Sequence, residues 1–208
     1  MNNYYYIVAS LPDIKPDWKF SDKNAETFLG EIKNLCSSKD EKHINMLFNG
    51  FNEDELTEDF YLNAAKYPNT FINEYFNLDL NIRNTKVKYL NKALGRDAKK
   101  DIIPINIGNF EEEKKLEIIL EGSDIIERER AIDNLIWTKI DELTKFHYFD
   151  IHTILGFLAK LHIIDRWYKL DEENGREMFK KLVDEVRGTF KGVEYDANKE
   201  ENESKENK

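Results

Sequence analysis

The chain has 208 residues, of which 40% are hydrophobic and 35% are charged, and its formal net charge is −10. This composition is typical of a soluble globular protein with a heavily charged surface, and it excludes a wholly disordered chain. The acidic balance provides no general attraction for nucleic acid, and no stretch approaches the roughly 20 apolar residues that span a bilayer. We therefore expect a cytoplasmic protein that binds no nucleic acid and has no transmembrane segment.

Helical periodicity dominates the first seventy residues. The apolar run Tyr4–Leu11, which Pro12 ends, fits either a short strand or the start of a buried helix, because so short a run has no diagnostic period. Apolar residues at helical spacing then predict a helix over about 24–36, a second helix that ends near Gly50, and a third that Pro68 stops.

The next predicted helix is long and carries a charge on its apolar face. Its apolar stripe consists of Ile72, Phe76, Leu80, Val87, Leu90 and Leu94, and Gly95 follows as a natural C-terminal cap. Arg83 falls on the same stripe, and a charge that faces a core needs a partner. We expect an acid on another helix to pair with Arg83, with Glu127, Glu129 and Asp133 as the candidates. Such a contact would be either a plain buried ion pair or part of a surface that recognises a partner protein.

The C-terminal half predicts further helices. Residues 96–109 contain a proline and a glycine and form the candidate hinge. Asp124 and Glu127 have the spacing of a capping box and would begin one helix, and Asp150 would begin the next. The helix after Asp150 has two adjacent apolar faces, which is typical of a helix at the centre of its domain.

The last predicted helix covers about 174–187, and the polar residues 191–208 are predicted to be a disordered acidic tail. The whole pattern predicts an all-α fold in a single helical domain over residues 1–190.

Patterns that bind phosphate or metal are absent from the sequence. It contains neither GxxxxGK[ST] nor GxGxxG, and its histidines have no HExxH spacing. His147 and His152 are separated by a predicted helix junction, so their spacing does not require them to converge. Asp133 and Asp165 are the carboxylates that lie on well-packed predicted helices, and Arg130 is within helical reach of Asp133. We predict no catalytic, cofactor-binding or metal-binding residue, no cofactor and no enzymatic activity.

Five groups of residues carry a resemblance along nearly the whole chain: Tyr5-Tyr6-Ile7-Val8-Ala9-Ser10-Leu11-Pro12, Leu80-Asn81-Ile82-Arg83-Asn84, Arg128-Glu129-Arg130 with Asp133 and Trp137, Tyr148-Phe149-Asp150, and Arg166-Trp167. With these residues the chain resembles a bacterial family of poorly characterised proteins that is associated with V-type ATPase operons. Members of that family look like distant relatives of the C-type subunit of V-type ATPases, the all-α socket between the rotor shaft and the membrane ring. This socket subunit is longer and consists of three similar helical parts, so the chain would correspond to only part of it.

The resemblance implies a non-catalytic accessory or central-stalk component of a V-type ATPase or ATP synthase. Its expected partners are the central shaft and the proteolipid ring, and it would be peripheral on the inner face of the membrane. The structural or interface candidates are Arg83, Glu127, Glu129, Arg130, Asp133, Trp137, Asp150, Arg166 and Trp167. Two alternatives remain: a helical adaptor without a link to rotary ATPases, and an enzyme with a carboxylate site around Asp133 or Asp165.

Overall fold

A computed structural model describes residues 4–105 and 110–170, and every regular element in these ranges is helical. The α-helices are α1 Tyr5–Ser10, α2 Ala25–Leu35, α3 Ser38–Asn49, α4 Glu58–Ala65, α5 Thr70–Ala93, α6 Glu113–Leu120, α7 Ile125–Thr144 and α8 Ile151–Leu170. Short 3-10 turns lie at Glu53–Glu55 and Ala98–Lys100. The predicted all-α fold is confirmed for these residues, and none of the described helices combines the length and apolar character needed to cross a bilayer.

The chain divides into two compact units, Met1–Asp165 and Arg166–Lys208. Of the second unit the structure describes only the residues that end α8. The predicted helix over 174–187 and the predicted tail over 191–208 lie outside the described residues, as does part of the candidate hinge over 96–109. The single domain over 1–190 stays a prediction.

Polar caps explain where most of the helices begin. A side-chain oxygen accepts a hydrogen bond from a main-chain N–H of the first turn at the start of five helices, namely at Asn24, Ser37, Thr57, Asn69 and Asp124. These caps satisfy N–H groups that have no partner within the helix. The predicted starts at Ser37 and Asp124 are therefore confirmed.

The first apolar run is a helix. The sequence left a strand and a helix as alternatives for this run, and the structure has the helix α1 there. In α1 Ile7 is buried, while Tyr5 and Tyr6 face outward.

α8 is buried over much of its circumference, as its two apolar faces predicted. Its buried residues are distributed around the helix: Ile151, His152, Ile154, Leu155, Gly156, Phe157, Leu158, Ala159, Leu161, Ile163 and Ile164. Gly156 permits a close approach of α7, because a Cβ atom there would lie 2.5 Å from Cγ2 of Thr144 and 3.3 Å from Cγ2 of Ile140.

The apolar stripe predicted for α5 is wrong in its second half. Leu90 and Leu94 are 54% and 64% exposed. The buried face there begins at Leu78 and Ile82 instead, and these pack with residues of α6 and α7: Leu116, Leu120, Ile132 and Leu135. α5 is about 36 Å long. Asn73 near its start donates to the carbonyl oxygen of Ala64 in α4, whereas Leu78 and Ile82 further along pack with residues of α6 and α7. Because the two halves have different neighbours, the buried face changes along the helix, and Arg83 lies on the exposed side.

Candidate functional site

Exposed aromatic side chains from two distant segments lie together at one place on the first unit. α1 contributes Tyr5 and Tyr6, and the turn between α7 and α8 contributes Phe146, Tyr148 and Phe149. The ring centroids of Tyr5 and Phe149 are 5.1 Å apart, and those of Tyr5 and Tyr6 are 6.0 Å apart. We call these five residues the aromatic surface. Their exposed fractions run from 42% for Phe149 to 88% for Tyr6. Grouped exposed aromatic residues are typical of a protein interaction site.

Tyr4 holds the two segments of this surface in place. Its main-chain N–H donates to the carbonyl oxygen of Phe149 at 2.6 Å. Its buried hydroxyl donates to Oδ2 of Asp40 at 2.5 Å and accepts from the main-chain N–H of Ser37 at 3.1 Å. The start of the described chain is therefore tied both to α3 and to the α7–α8 turn.

The same turn contains a histidine–aspartate cluster. Nδ1 of His147 lies 2.6 Å from Oδ2 of Asp150, and Oδ1 of Asp150 accepts from the main-chain N–H of His152 at 2.9 Å. Asp150 therefore begins α8, as predicted. The imidazole rings of His147 and His152 stack with their centroids 4.1 Å apart. Nε2 of His152 lies 3.1 Å from Oγ1 of Thr70, the first residue of α5.

Burial and neighbouring charges determine the protonation of this cluster. Burial lowers the pKa of the His152 imidazole, and the nearby His147 lowers it further against the opposing effect of Asp150. Burial likewise lowers the pKa of His43, whose charge also acts on His152. Burial alone would raise the pKa of Asp150, but the hydrogen bond and charge of His147 and the N–H of His152 hold this pKa below its usual value. His152 is therefore neutral and Asp150 ionised near pH 7.

These three residues could hold a metal ion. One ligand atom from each of His147, Asp150 and His152 lies within 4.8 Å of the other two. Nδ1 of His152 is buried and has no hydrogen-bond partner among the residues that the structure describes. The sequence did not predict this convergence, because the two histidines lie on opposite sides of a helix junction. The available signal was the short spacing His-x-x-Asp-x-His, which becomes a cluster only when the turn is tight.

The structure does not pair Arg83 as predicted. Arg83 is exposed, and its charge acts on Tyr61 and Asp79 rather than on an acid of α7. An ion pair between α5 and α7 is made instead by Lys86, whose Nζ lies 2.7 Å from Oε1 of Glu129. The predicted type of contact exists, but its basic member lies one turn further along, because the buried face of α5 changes direction before Arg83.

A buried tyrosine and a carboxylate lie beside Arg83. The hydroxyl of Tyr61, which is fully buried, donates to Oδ2 of Asp79 at 2.6 Å. Burial raises the pKa of Asp79, and this effect exceeds the opposing hydrogen bond from Tyr61 and the charges of Arg83 and Lys86. Burial also raises the pKa of Tyr61. The arrangement links α4 to α5.

The remaining predicted residues occupy separate places. On α7, Glu127 and Arg130 are exposed, while Asp133 and Trp137 are buried. Nζ of Lys160 on α8 lies 4.9 Å from the centroid of the Trp137 ring. In the second unit Arg166 is exposed and Trp167 is partly buried. Asp150 directly follows Phe149 of the aromatic surface in the chain.

A groove runs beside the second half of α5. It has a volume of about 490 Å³, and its charged and aromatic lining residues are Lys88, Tyr89, Lys92, Glu113, Glu117 and Glu121. Neither Asp133 nor Asp165, the carboxylates of the enzyme hypothesis, lines this groove.

Comparison with known proteins identifies a family. The family model described as "Protein of unknown function (DUF2764)" matches residues 1–53 and 51–189. No curated protein and no solved structure matches the chain. Because the two matched segments cover most of the 208 residues, the chain belongs to the DUF2764 family.

Proposed function

We propose that the chain is a non-catalytic accessory or central-stalk component of a V-type ATPase or ATP synthase, similar to part of the C-type socket subunit. The observation that carries the proposal is the position of two groups of residues on which the resemblance rests. The group over 5–12 and the group over 148–150 are far apart in the sequence, yet both contribute to the aromatic surface. A surface of this kind suits binding to a neighbouring subunit.

The proposed role is mechanical. The protein would position the central shaft relative to the proteolipid ring, on the inner face of the membrane, while ATP hydrolysis or synthesis takes place on other subunits. Closely packed helices suit such a role, because a dense core transmits strain rather than absorbing it. The contact of α7 with α8 at Gly156 and the hydrogen bonds of Tyr4 support a rigid connection between the core and the aromatic surface.

Co-purification tests the proposal. The tagged protein, expressed in its native host, should capture the catalytic ATPase subunits together with shaft or ring subunits. A double variant, Tyr6→Ser with Tyr148→Ser, removes two exposed rings of the aromatic surface and should reduce this capture at least about tenfold, since a few central aromatic residues usually dominate an interface. The matched control is Leu94→Ser with Ile118→Ser, which removes apolar side chains that are 64% and 71% exposed elsewhere.

Two results would contradict the proposal. Capture of unrelated proteins without any ATPase subunit would favour a helical adaptor. Equal loss of capture in the control variant would show that the aromatic surface has no special part in binding.

A further inference from the structure

The donor atoms at the start of α8 are those that divalent transition metals take in proteins. His147 and His152 each offer a ring nitrogen, and Asp150 offers a carboxylate oxygen. In a tetrahedral zinc site with bonds of about 2.0–2.2 Å, neighbouring donor atoms are roughly 3.4 Å apart. The donor atoms here lie within 4.8 Å of one another. Side-chain rotations that move these atoms by about 1 Å would bring them to the separations of a tetrahedral zinc site.

A hydrogen bond from Nε2 of His152 to Thr70 would leave the Nδ1 of this ring free to bind a cation. Its Nε2 is 3.1 Å from the Thr70 hydroxyl oxygen, which can accept the ring N–H. In that tautomer Nδ1 presents a lone pair, and it lies 3.5 Å from Oδ1 of Asp150. That oxygen already accepts the main-chain N–H of His152, and Nδ1 has no hydrogen-bond partner within residues 4–105 and 110–170.

A buried nitrogen without a partner requires an explanation. The side chain of His152 is only 10% exposed, so bulk water does not easily satisfy Nδ1. A purely structural role as a helix cap explains Asp150 and its bond to His147, but it gives Nδ1 of His152 no hydrogen-bond partner among the described residues. A cation between the three side chains would satisfy it. Thr70 would then be the outer partner that a metal-bound histidine usually has on its second nitrogen.

We propose that His147, Asp150 and His152 bind one divalent transition-metal cation, with Zn²⁺ the best match and water completing its coordination. Two imidazoles and one carboxylate form a donor set that suits Zn²⁺ and neighbouring first-row metals. The site does not depend on the function proposed above. It does affect the aromatic surface, because Tyr148 and Phe149 lie between His147 and Asp150 in the chain. A bound cation would hold this turn in one conformation.

Metal binding to the full-length protein tests the proposal directly. The protein is purified without a polyhistidine tag, stripped with a chelator and titrated with ZnCl₂ by calorimetry. We expect one equivalent per chain and a melting temperature that rises with the free zinc concentration, because a ligand that binds only the folded state stabilises it. X-ray absorption at the zinc edge should show two imidazole ligands.

Variants locate the site. His147→Ala and Asp150→Asn should each weaken zinc binding by more than the roughly 10–100-fold expected from loss of the outer partner in Thr70→Val. His147 is partly exposed, and asparagine retains the capping oxygen at position 150, so both variants should fold. His162→Gln is the control, because that ring stacks on Phe51 away from the cluster and should leave zinc affinity unchanged.

The proposal is overturned if the wild-type protein binds no zinc at one equivalent, or if His147→Ala and Asp150→Asn bind it as tightly as the wild type. A zinc spectrum with oxygen ligands alone would also overturn it, and this measurement does not depend on the folding of any variant. Because none of these readouts involves ATPase subunits, the metal site and the proposed function can fail separately.

Discussion

The main-chain N–H of Tyr4 donates a hydrogen bond to the carbonyl oxygen of Phe149, and the two atoms are 2.6 Å apart. This bond joins the start of the described chain to the turn between α7 and α8. It places the exposed rings of α1 beside those of the turn, and it places the Tyr4 hydroxyl over Asp40 of α3. The aromatic surface therefore depends on the anchoring of Tyr4 as well as on its own residues.

Replacing the Tyr4 hydroxyl should reduce stability. In Tyr4→Phe the buried carboxylate of Asp40 loses one of its donors, and Ser37 Oγ remains as another. Loss of a hydrogen bond to a charged group costs about 1.5–3 kcal/mol, which urea denaturation would measure. The control Tyr6→Phe changes a side chain that is 88% exposed and should alter the free energy of unfolding by less than about 0.5 kcal/mol. Equal effects of the two substitutions would contradict the assigned role of Tyr4.

Two helical glycines should respond to alanine in opposite directions. A Cβ atom at position 156 would lie 2.5 Å from Cγ2 of Thr144, so Gly156→Ala overpacks the contact of α7 with α8. We expect a loss of about 1–3 kcal/mol in the free energy of unfolding. At Gly30 in α2 no atom lies within 4 Å of the added Cβ, so Gly30→Ala should stabilise the protein by about 0.5–1 kcal/mol. Thermal or urea unfolding of both variants checks the pair, and a stable Gly156→Ala protein would contradict the close packing.

Removing the charge of Asp79 should stabilise the protein near pH 7. The folded-state pKa of Asp79 is raised above its unfolded value, so the folded state binds its proton more tightly and ionisation opposes folding. Asp79→Asn removes this cost and retains an oxygen that accepts from the hydroxyl of Tyr61. The urea midpoint should therefore rise at pH 7. The difference in midpoint between Asp79→Asn and the wild type should shrink as the pH falls through the raised pKa of Asp79. A lower midpoint for Asp79→Asn at pH 7 would contradict the prediction, because it would show that the ionised carboxylate is stabilising.

Stability should fall when the pH drops below about 7. The pKa values of His152 and His43 are lowered by folding, so the unfolded chain, in which histidine titrates near 6.5, binds more protons in this range. Each histidine can therefore raise the free energy of unfolding by at most about 1.4 kcal/mol for each unit that the pH rises. Urea unfolding between pH 8 and pH 5 measures this dependence. The measurement is made in the Asp79→Asn background, because the raised pKa of Asp79 changes stability with pH in the opposite direction. In His43→Gln the slope should decrease, and an unchanged slope would exclude His43 as a source.

Local features of the fold could be predicted from the sequence. Helix starts at Ser37, Asp124 and Asp150 follow from the chemistry of capping, which needs only residues within one turn. The buried circumference of α8 follows from its two apolar faces. The conformation of Tyr4–Leu11 could not be decided in this way, because so short a run carries no period. In the structure Tyr5–Ser10 is a helix with Ile7 buried.

The error at Arg83 has a specific cause. A stripe from Ile72 to Leu94 predicts one buried face along all of α5, but the helix exchanges one set of neighbours for another along its length. An arginine on the extrapolated stripe therefore became exposed, and Lys86 made the contact with Glu129. Periodicity describes which residues share a face, whereas the position of the neighbouring helices decides whether that face is covered.

Local interactions account for the helical character of the chain and for the start of several helices, because backbone hydrogen bonds, caps and the apolar period all act within a few residues. Long-range packing sets which face of α5 is buried and brings α1 beside the α7–α8 turn, and the tight turn brings His147, Asp150 and His152 together. These relationships depend on the path of the chain between distant residues and on the geometry of one tight turn. A local sequence pattern contains neither the path of the chain nor the geometry of the turn. The aromatic surface and the candidate metal site depend on both.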